Sequence, residues 1–433
     1  MRNYDYEVLI SKNNDSLTKD DNKCISCGQC KKVCSNDITV AKMFEINPNR
    51  EPICINCGQC SNICPTEAIS ERFSYLKVKK LLQNKNNKII VFNVEPASLV
   101  SLKEAFDLDA RVDIEKKIPS VLRKMGANYI FDITNTAYIT VLEEANELAN
   151  RIKNKINLPM FDCNCPSWVK YCEIFYPELI PNLSTTKSYI TTTGTIIKTY
   201  FADKIKVPCN DIINIVVTPC TARKSEIRKK KINYSKTDTN YVITTRELIK
   251  LIKDRNININ NIKDSSYDKL FDISPKGIIG TSGNTCVAVI KEAYRILTGK
   301  YPNIELDSLY GTASTKELEI SFEDKKIKIA VCNGMKSGVD LITKLLNKEV
   351  YYDFIEIMAC NGGCTSGGGQ PKITLLNMKD TKNRRMEEID KVALKTDYKN
   401  KEIKYIIDNY NSLLHTEYYD KSYLLRGDDN EQK

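Results

Sequence analysis

From about Lys88 onward, apolar runs of strand length alternate with stretches of helical spacing. The strand-length runs are Ile89–Val94, Tyr129–Ile133, Ile212–Val217, Ile327–Val331 and Asp353–Met358, with a shorter one at Ile278 and Ile279. The helical stretches are Ile139–Ile152, Trp168–Phe175, Ile196–Ile205, Arg246–Ile252, Val287–Leu297 and Val339–Leu346. Alternation of this kind predicts α/β layering with mostly parallel strands. Three segments share a further feature, a buried-looking strand that runs straight into cysteine. They are Met160 to Cys165, Val216 to Cys220 and Ile355 to Cys360. In open α/β sheets, ligands bind beyond the carboxyl ends of strands. Three distant segments are therefore expected to converge on one site, with Pro166 and Pro219 ending the ladder where ligation begins. The third segment continues into five glycines within the eight positions Gly362–Gly369, with Cys364 among them. Glycine at that density lets backbone press closely against a bulky group.

Ahead of this region the pattern is set by cysteine. Cys24, Cys27, Cys30 and Cys34 form one C-x2-C-x2-C-x3-C run, and Cys54, Cys57, Cys60 and Cys64 repeat it, followed by Pro65. Both runs carry Cys-Gly-Gln-Cys, at 27–30 and 57–60. This is the bacterial two-cluster ferredoxin pattern, in which three close cysteines wrap one cluster and the fourth serves the other. Cys24, Cys27, Cys30 and Cys64 are thus assigned to one 4Fe–4S cluster, and Cys54, Cys57, Cys60 and Cys34 to a second. Zinc sites take two widely separated pairs of ligands, which this grouping does not match. Ser35 stands where the first run would usually have proline.

The wider composition narrows the class. Of 433 residues, 17 are cysteine and one is histidine, His415. A lone histidine argues against His-rich zinc or non-haem iron sites in the body of the chain. The start, Met1 to Glu7, is polar and acidic, unlike a signal peptide. No apolar run approaches the ~18 residues of a membrane span. A cytoplasmic setting follows as the default, and there clustered cysteines are metal ligands before they are disulfides. The net charge is +10, with the densest basic run at Arg228–Lys231. No aromatics are interleaved with that run, so nucleic acid is not expected as a partner. A positive surface suits an acidic electron carrier instead.

The sequence resembles the iron-only (FeFe) hydrogenases. Glu356-x-Met358-Ala359-Cys360-x-Gly362-Gly363-Cys364-x-x-Gly367-Gly368-Gly369-Gln370-Pro371 is similar to their third signature, Pro219-Cys220-Thr221-Ala222-Arg223-Lys224-Ser225-Glu226 to the second, and Cys165-Pro166-Ser167-Trp168 to the first. The stretch Leu413 to Tyr418 resembles the small-subunit tail that wraps such enzymes. The resemblance implies an α+β dicluster ferredoxin domain over residues 1–82, an α/β H-cluster domain over 83–375 and a helical C-terminal wrap over 376–433. It implies that Cys165, Cys220, Cys360 and Cys364 hold the H-cluster, a 4Fe–4S cube joined through Cys364 to a two-iron unit with CO, CN and a dithiolate bridge. Met358 would pack against that unit and Arg223 would donate to a cyanide. Glu144, Glu147, Arg151 and Ser184 match the family's proton path. The implied activity is reversible hydrogen oxidation and proton reduction. Ferredoxin or another low-potential carrier would be the electron partner, and hydrogenase maturation proteins would supply the cofactor. Cys172, Cys209, Cys286 and Cys332 lack mutual spacing and are expected to be structural.

Several positions depart from the family pattern. Asn164 replaces the relay cysteine, and an amide does not titrate near neutrality. Cys163 is next door, but neighbours on a strand point to opposite faces. Arg223 replaces a lysine, Thr218 a methionine and Tyr189-Ile190 a Pro-Gln pair; Glu95-Pro96-Ala97 replaces a small-residue loop, and Gly283-Asn284-Thr285 a Gly-Gly-Val. The expectation is a divergent member with slow hydrogen turnover. The alternatives are a hydrogen or redox sensor acting through a partner, and a cluster-assembly scaffold without the two-iron unit.

Overall fold

The computed structural model of the protein describes residues 6–43, 51–109, 111–229, 238–273, 275–302, 305–322, 325–373, 377–389, 391 and 400–426. Lys230 and Lys231 of the basic run, and part of the expected C-terminal wrap, lie outside the described residues. The strands in chain order are β1 (Leu17–Lys19), β2 (Ile69–Glu71), β3 (Ile89–Val94), β4 (Tyr129–Asp132) and β5 (Met160–Phe161). They continue with β6 (Ile212–Thr218), β7 (Tyr241–Thr244), β8 (Thr315–Phe322), β9 (Lys325–Asn333) and β10 (Phe354–Met358).

β1 and β2 pair antiparallel and tie together the two ends of the N-terminal module. β4-β3-β6-β7 form a wholly parallel sheet. Such a sheet is covered on both faces, which is why β3 and β6 read as near-continuous Ile and Val. The second sheet has the order β5-β10-β9-β8, with β8 its one antiparallel strand, on the edge. Between the sheets lies a helical layer. The helices Thr134–Asn154, Tyr189–Ile196 and Asn284–Thr298 share one core with Val91 and Phe131 of the first sheet and Met160, Val331 and Phe354 of the second. The site-bearing strand ends β5, β6 and β10 therefore come from both sheets and meet beside this layer.

The five long strand expectations are met to within two residues at each end. Ile278 and Ile279 are not a strand. Both are buried, but Thr285 Oγ1 donates to the Ile278 carbonyl at 3.3 Å and Asn284 Nδ2 to that of Gly277. Side chains of the following helix thus take the hydrogen bonds that a neighbouring strand would need. The helix expected over Ile196–Ile205 starts earlier, at Tyr189, and passes through a π turn at Ile197–Phe201. The chain also forms β7, β8 and the helices Tyr75–Gln83, Pro96–Ala105 and Ile114–Met125, which the apolar pattern did not single out. At the C-terminal end, the helix Lys401–Tyr410 buries Ile403 and Ile406. The tail then bonds to 185–187: Lys187 N–H donates to the Leu414 carbonyl at 2.8 Å and Thr416 N–H to that of Thr185 at 2.8 Å. No described helix is long and apolar enough to cross a membrane.

Candidate metal centres

The two N-terminal cysteine runs line two adjoining cavities. One is bounded by Cys24, Cys27, Cys30 and Cys64, the other by Cys34, Cys54, Cys57 and Cys60. Each run's fourth cysteine lies with the other run's first three. Gly28 and Gly58 cap the helices Gln29–Asn36 and Gln59–Ile63; the first carries Cys30 and Cys34, the second carries Cys60 and ends at Cys64. The second cavity is otherwise apolar, lined by residues such as Val8, Leu17, Ile38 and Ile55, so its cysteines are the drier set.

A third group forms in the body. Cys165 ends the segment after β5 and caps the helix Pro166–Phe175. Cys220 follows β6, Cys360 follows β10, and Cys364 lies in the short turn Gly363–Ser366. Burial raises all four thiols, Cys360 to about 12, and each also feels its neighbours. Cys165 acts on Cys360, Cys360 and Cys165 act on Cys220, and Cys220 and Cys165 act on Cys364. The four sulfurs, drawn from segments about 200 residues apart, therefore share one buried locality.

This locality is joined to the N-terminal module by direct contact. Gln59 Nε2 donates to Cys360 Sγ at 3.1 Å and to the Ser366 carbonyl at 2.8 Å. Thr221 Oγ1, next to Cys220, donates to the Asn56 carbonyl at 2.7 Å. A methyl group on Gly368 would sit 2.2 Å from the Cys57 carbonyl oxygen, and one on Gly58 would sit 3.1 Å from Gly368 Cα. Only two glycines let these turns touch. Cys57 and Cys360 are close enough that Cys360 is the strongest charge acting on the Cys57 thiol.

Around the third group stand buried acids. Asn164 Nδ2 donates to Glu144 Oε2 at 3.0 Å and to Asp162 Oδ1 at 2.6 Å. Burial raises Glu144, and the neighbouring Asp162 charge raises it further; burial raises Asp162 as well. Glu147 accepts from Arg151 at 2.6 Å, Ser184 Oγ at 2.8 Å and the Thr185 N–H at 2.9 Å. Arg151 also donates to the carbonyls of Asn157, Asn182 and Leu183, so it clamps the loop that presents Ser184. Cys163 turns away from Asn164, into the apolar cluster of Phe161, Trp168 and Tyr171.

On the Cys364 side stand Tyr189 and Glu95. Tyr189 Oη lies 3.8 Å from Cys364 Sγ and donates to Glu95 Oε1 at 3.1 Å. The Glu95 carboxyl also reaches the Cys364 thiol and accepts from Thr218 Oγ1 at 2.6 Å. The Arg223 guanidinium stacks 4.5 Å from the Tyr189 ring centre. It donates to Ser188 Oγ at 2.9 Å, Glu226 Oε2 at 2.7 Å and the Asn164 carbonyl at 2.6 Å. Its Nε has no acceptor. Glu95, Thr218, Arg223 and Tyr189 are each at most 3% exposed.

Comparison with known proteins places this arrangement. The family model described as iron only hydrogenase large subunit, C-terminal domain, matches residues 88–368. This chain belongs to the iron-only hydrogenase family. A 4Fe–4S dicluster domain matches residues 13–69 ahead of it. Iron hydrogenase 1 of Clostridium pasteurianum is 34% identical over 403 residues, covering 89% of this chain and 69% of that protein. A cytosolic Fe-S cluster assembly factor of Danio rerio, narfl, is 27% identical over 316 residues, covering 70% and 77%. Among solved structures, an apo [FeFe]-hydrogenase from Chlamydomonas reinhardtii with a cysteine-to-histidine substitution superposes with a TM-score of 0.70 at 26% identity, covering 80% of this chain and 99% of that one.

The family's cofactor has two parts, and the residues here treat them differently. Among the described residues no three or more His, Cys, Asp or Glu are arranged for a single metal ion. A cubane instead spreads its thiolates over the corners of a cube. Four half-buried thiols gathered in one locality, two of them met by N–H donors from Gln59 and Ala359, suit such a group. Its irons would neutralise anions that burial alone makes costly. The two-iron part does not fit. Arg223 gives its terminal nitrogens to Ser188, Glu226 and Asn164 rather than holding them for a cyanide, and Tyr189 and Glu95 stand at the Cys364 sulfur. Met358, the last residue of β10, is buried. The sequence reading quoted Glu95 and Tyr189 as altered positions without seeing that they meet. Nothing in the sequence pattern gave roles to Gln59 and Asp162, and Glu356 stood there only as a letter of the third signature. The signal for Gln59 was available: it lies in the repeated Cys-Gly-Gln-Cys.

Proposed function

We propose that this protein is an iron–sulfur redox protein of the hydrogenase fold in which three 4Fe–4S clusters form one electron path. Cys24, Cys27, Cys30 and Cys64 hold the outermost cluster, and Cys34, Cys54, Cys57 and Cys60 the next. Cys165, Cys220, Cys360 and Cys364 hold the third, buried one. The observation that carries this is the contact of the Cys57–Gln59 turn with Cys360, which sets the second and third centres side by side. Electrons enter from a low-potential carrier such as a ferredoxin at the more exposed first cluster, where Cys27 reaches the surface. Each reduction adds one electron to a cubane. Arg223, whose charge acts on Cys165, Cys220 and Cys364, stabilises the more negative reduced state of the third. A centre of this kind stores or reports an electron for a partner protein.

Slow hydrogen turnover is the second reading, and one observation favours it. The path residues Arg151, Glu147 and Ser184 still bond to one another, and Glu144 reaches Asn164. It would require protons and hydrogen as substrates, maturation proteins as partners and a two-iron unit at Cys364. A plain cubane requires none of these.

The test is anaerobic reconstitution of the full chain with iron and sulfide. Wild type is expected to bind roughly 12 iron atoms, as three cubanes would. Cys220→Ser is expected to bind roughly 8 and to lose one of three reduced-cluster signals in electron paramagnetic resonance. If Cys220→Ser keeps the wild-type iron content and spectrum, the third centre is not where it is placed here.

A further inference from the structure

The pocket beyond Cys364 decides what the third centre can be. In a bridged cofactor, one thiolate sulfur must bond to an iron of the cube and to an iron of the second unit. Its outer side must therefore be open. Here that side is met by two groups at once, the Tyr189 hydroxyl at 3.8 Å and the Glu95 carboxyl. Neither is a loose side chain that swings aside. Tyr189 opens the helix Tyr189–Ile196, and its backbone N–H donates to Asn164 Oδ1 at 3.3 Å. Glu95 caps the helix Pro96–Ala105 from the end of β3, and its N–H donates to the Val217 carbonyl at 3.0 Å. Thr218 Oγ1 and Tyr189 Oη take one Glu95 oxygen each, and the Arg223 plane closes over the Tyr189 ring. Opening the space would break these hydrogen bonds and leave the buried Glu95 carboxyl unpaired.

We propose that the third centre is a 4Fe–4S cubane alone, and that Glu95 and Tyr189 hold the Cys364 side closed against a two-iron unit. This rests on the three-cluster reading above and deepens it. A tyrosine hydroxyl and a protein carboxyl occupy the coordination space of the bridging sulfur. The site is built to hold a terminal one-electron cluster in a dry shell.

The experiment uses full-length protein reconstituted with iron and sulfide and then incubated with a synthetic two-iron dithiolate complex carrying CO and CN. After desalting, infrared absorption in the CO and CN region reads uptake of the two-iron complex, while paramagnetic resonance and iron content read the cubane separately. Wild type is expected to lack protein-bound CO and CN bands while keeping all three cubane signals. Bands that survive desalting in wild type and vanish in Cys364→Ala overturn the proposal. An iron content of roughly 8, with one cubane signal missing, overturns the three-cluster reading instead. The variant Glu95→Ala/Tyr189→Ala removes both blocking groups and is expected to gain the bands. If it folds with three cubanes and gains none, the exclusion does not belong to this pair. Tyr189→Phe keeps the ring and removes only the hydroxyl. It is expected to shift the third cluster's resonance and leave the infrared region empty. An unchanged resonance would show that the hydroxyl does not face the Cys364 sulfur.

Discussion

At the residue scale, the buried carboxyls carry much of the information. Glu356 lies within the third signature, and its carboxyl is taken up by backbone N–H groups. It accepts from the Gly283 N–H at 2.7 Å and the Cys286 N–H at 2.9 Å, and so ties β10 to the start of the helix Asn284–Thr298. Burial, and then the charge of Asp162, raise its pKa from 4.5 to about 7. The folded chain therefore holds this proton more tightly than the unfolded chain. The stabilisation is fully present below about pH 4.5 and is lost as pH rises through about 7. Glu356→Gln has no such titration and gives one of the two N–H groups an amide to face. The variant is expected to be less stable by about 1–3 kcal/mol at low pH, with the gap to wild type shrinking as pH rises toward 7. Anaerobic urea unfolding at several pH values reads this, and a gap independent of pH would refute it. Such partners were not legible in the sequence. Glu356 reads there as one letter of a motif, because nothing local says that Gly283 will lie against it.

At the element scale, the strand ends were legible and the turns between them less so. Runs such as Ile212–Val217 are apolar apart from the buried Asn214 because a central parallel strand is covered on both faces, and the cysteines that follow mark where the ladder stops. Ile278 and Ile279 have the same composition, but Thr285 and Asn284 take the carbonyls of Ile278 and Gly277, so apolar character alone was a false signal. The glycine-rich loop is a place of close approach, and what it approaches is a second turn of protein, Cys57–Gly58. Gly368→Ala is the direct probe. Its Cβ would meet the Cys57 carbonyl at 2.2 Å, and backbone on both sides leaves nothing flexible to yield. The expected cost is roughly 1–3 kcal/mol, as for other overpacked sites. Magnetic coupling between the reduced second and third clusters should weaken with it. A variant with unchanged melting and unchanged coupling would mean that the two turns do not bear on each other.

At the scale of the whole molecule, charge and docking govern how electrons arrive. The chain carries a net charge of +10, and an acidic carrier would be steered toward it over distances that salt shortens, with a screening length of about 10 Å at 0.1 M. Reduction by an acidic ferredoxin, followed by stopped-flow bleaching of the cluster absorbance, is expected to slow several-fold as salt is raised. Reduction by a small neutral dye should change little. Equal salt dependence for both would remove electrostatic steering from the account. The sequence by itself determined the two C-x2-C-x2-C-x3-C runs and the parallel strands, because those are properties of spacing and of apolar period. It also determined that Glu95, Tyr189, Thr218 and Arg223 are unusual for the family. Only the tertiary structure decided that these four close on one another at the Cys364 sulfur, and that Gln59 reaches Cys360. The physical reason is separation along the chain: Glu95 and Tyr189 are 94 positions apart, and no local pattern records a contact made only when two sheets and a helical layer come together.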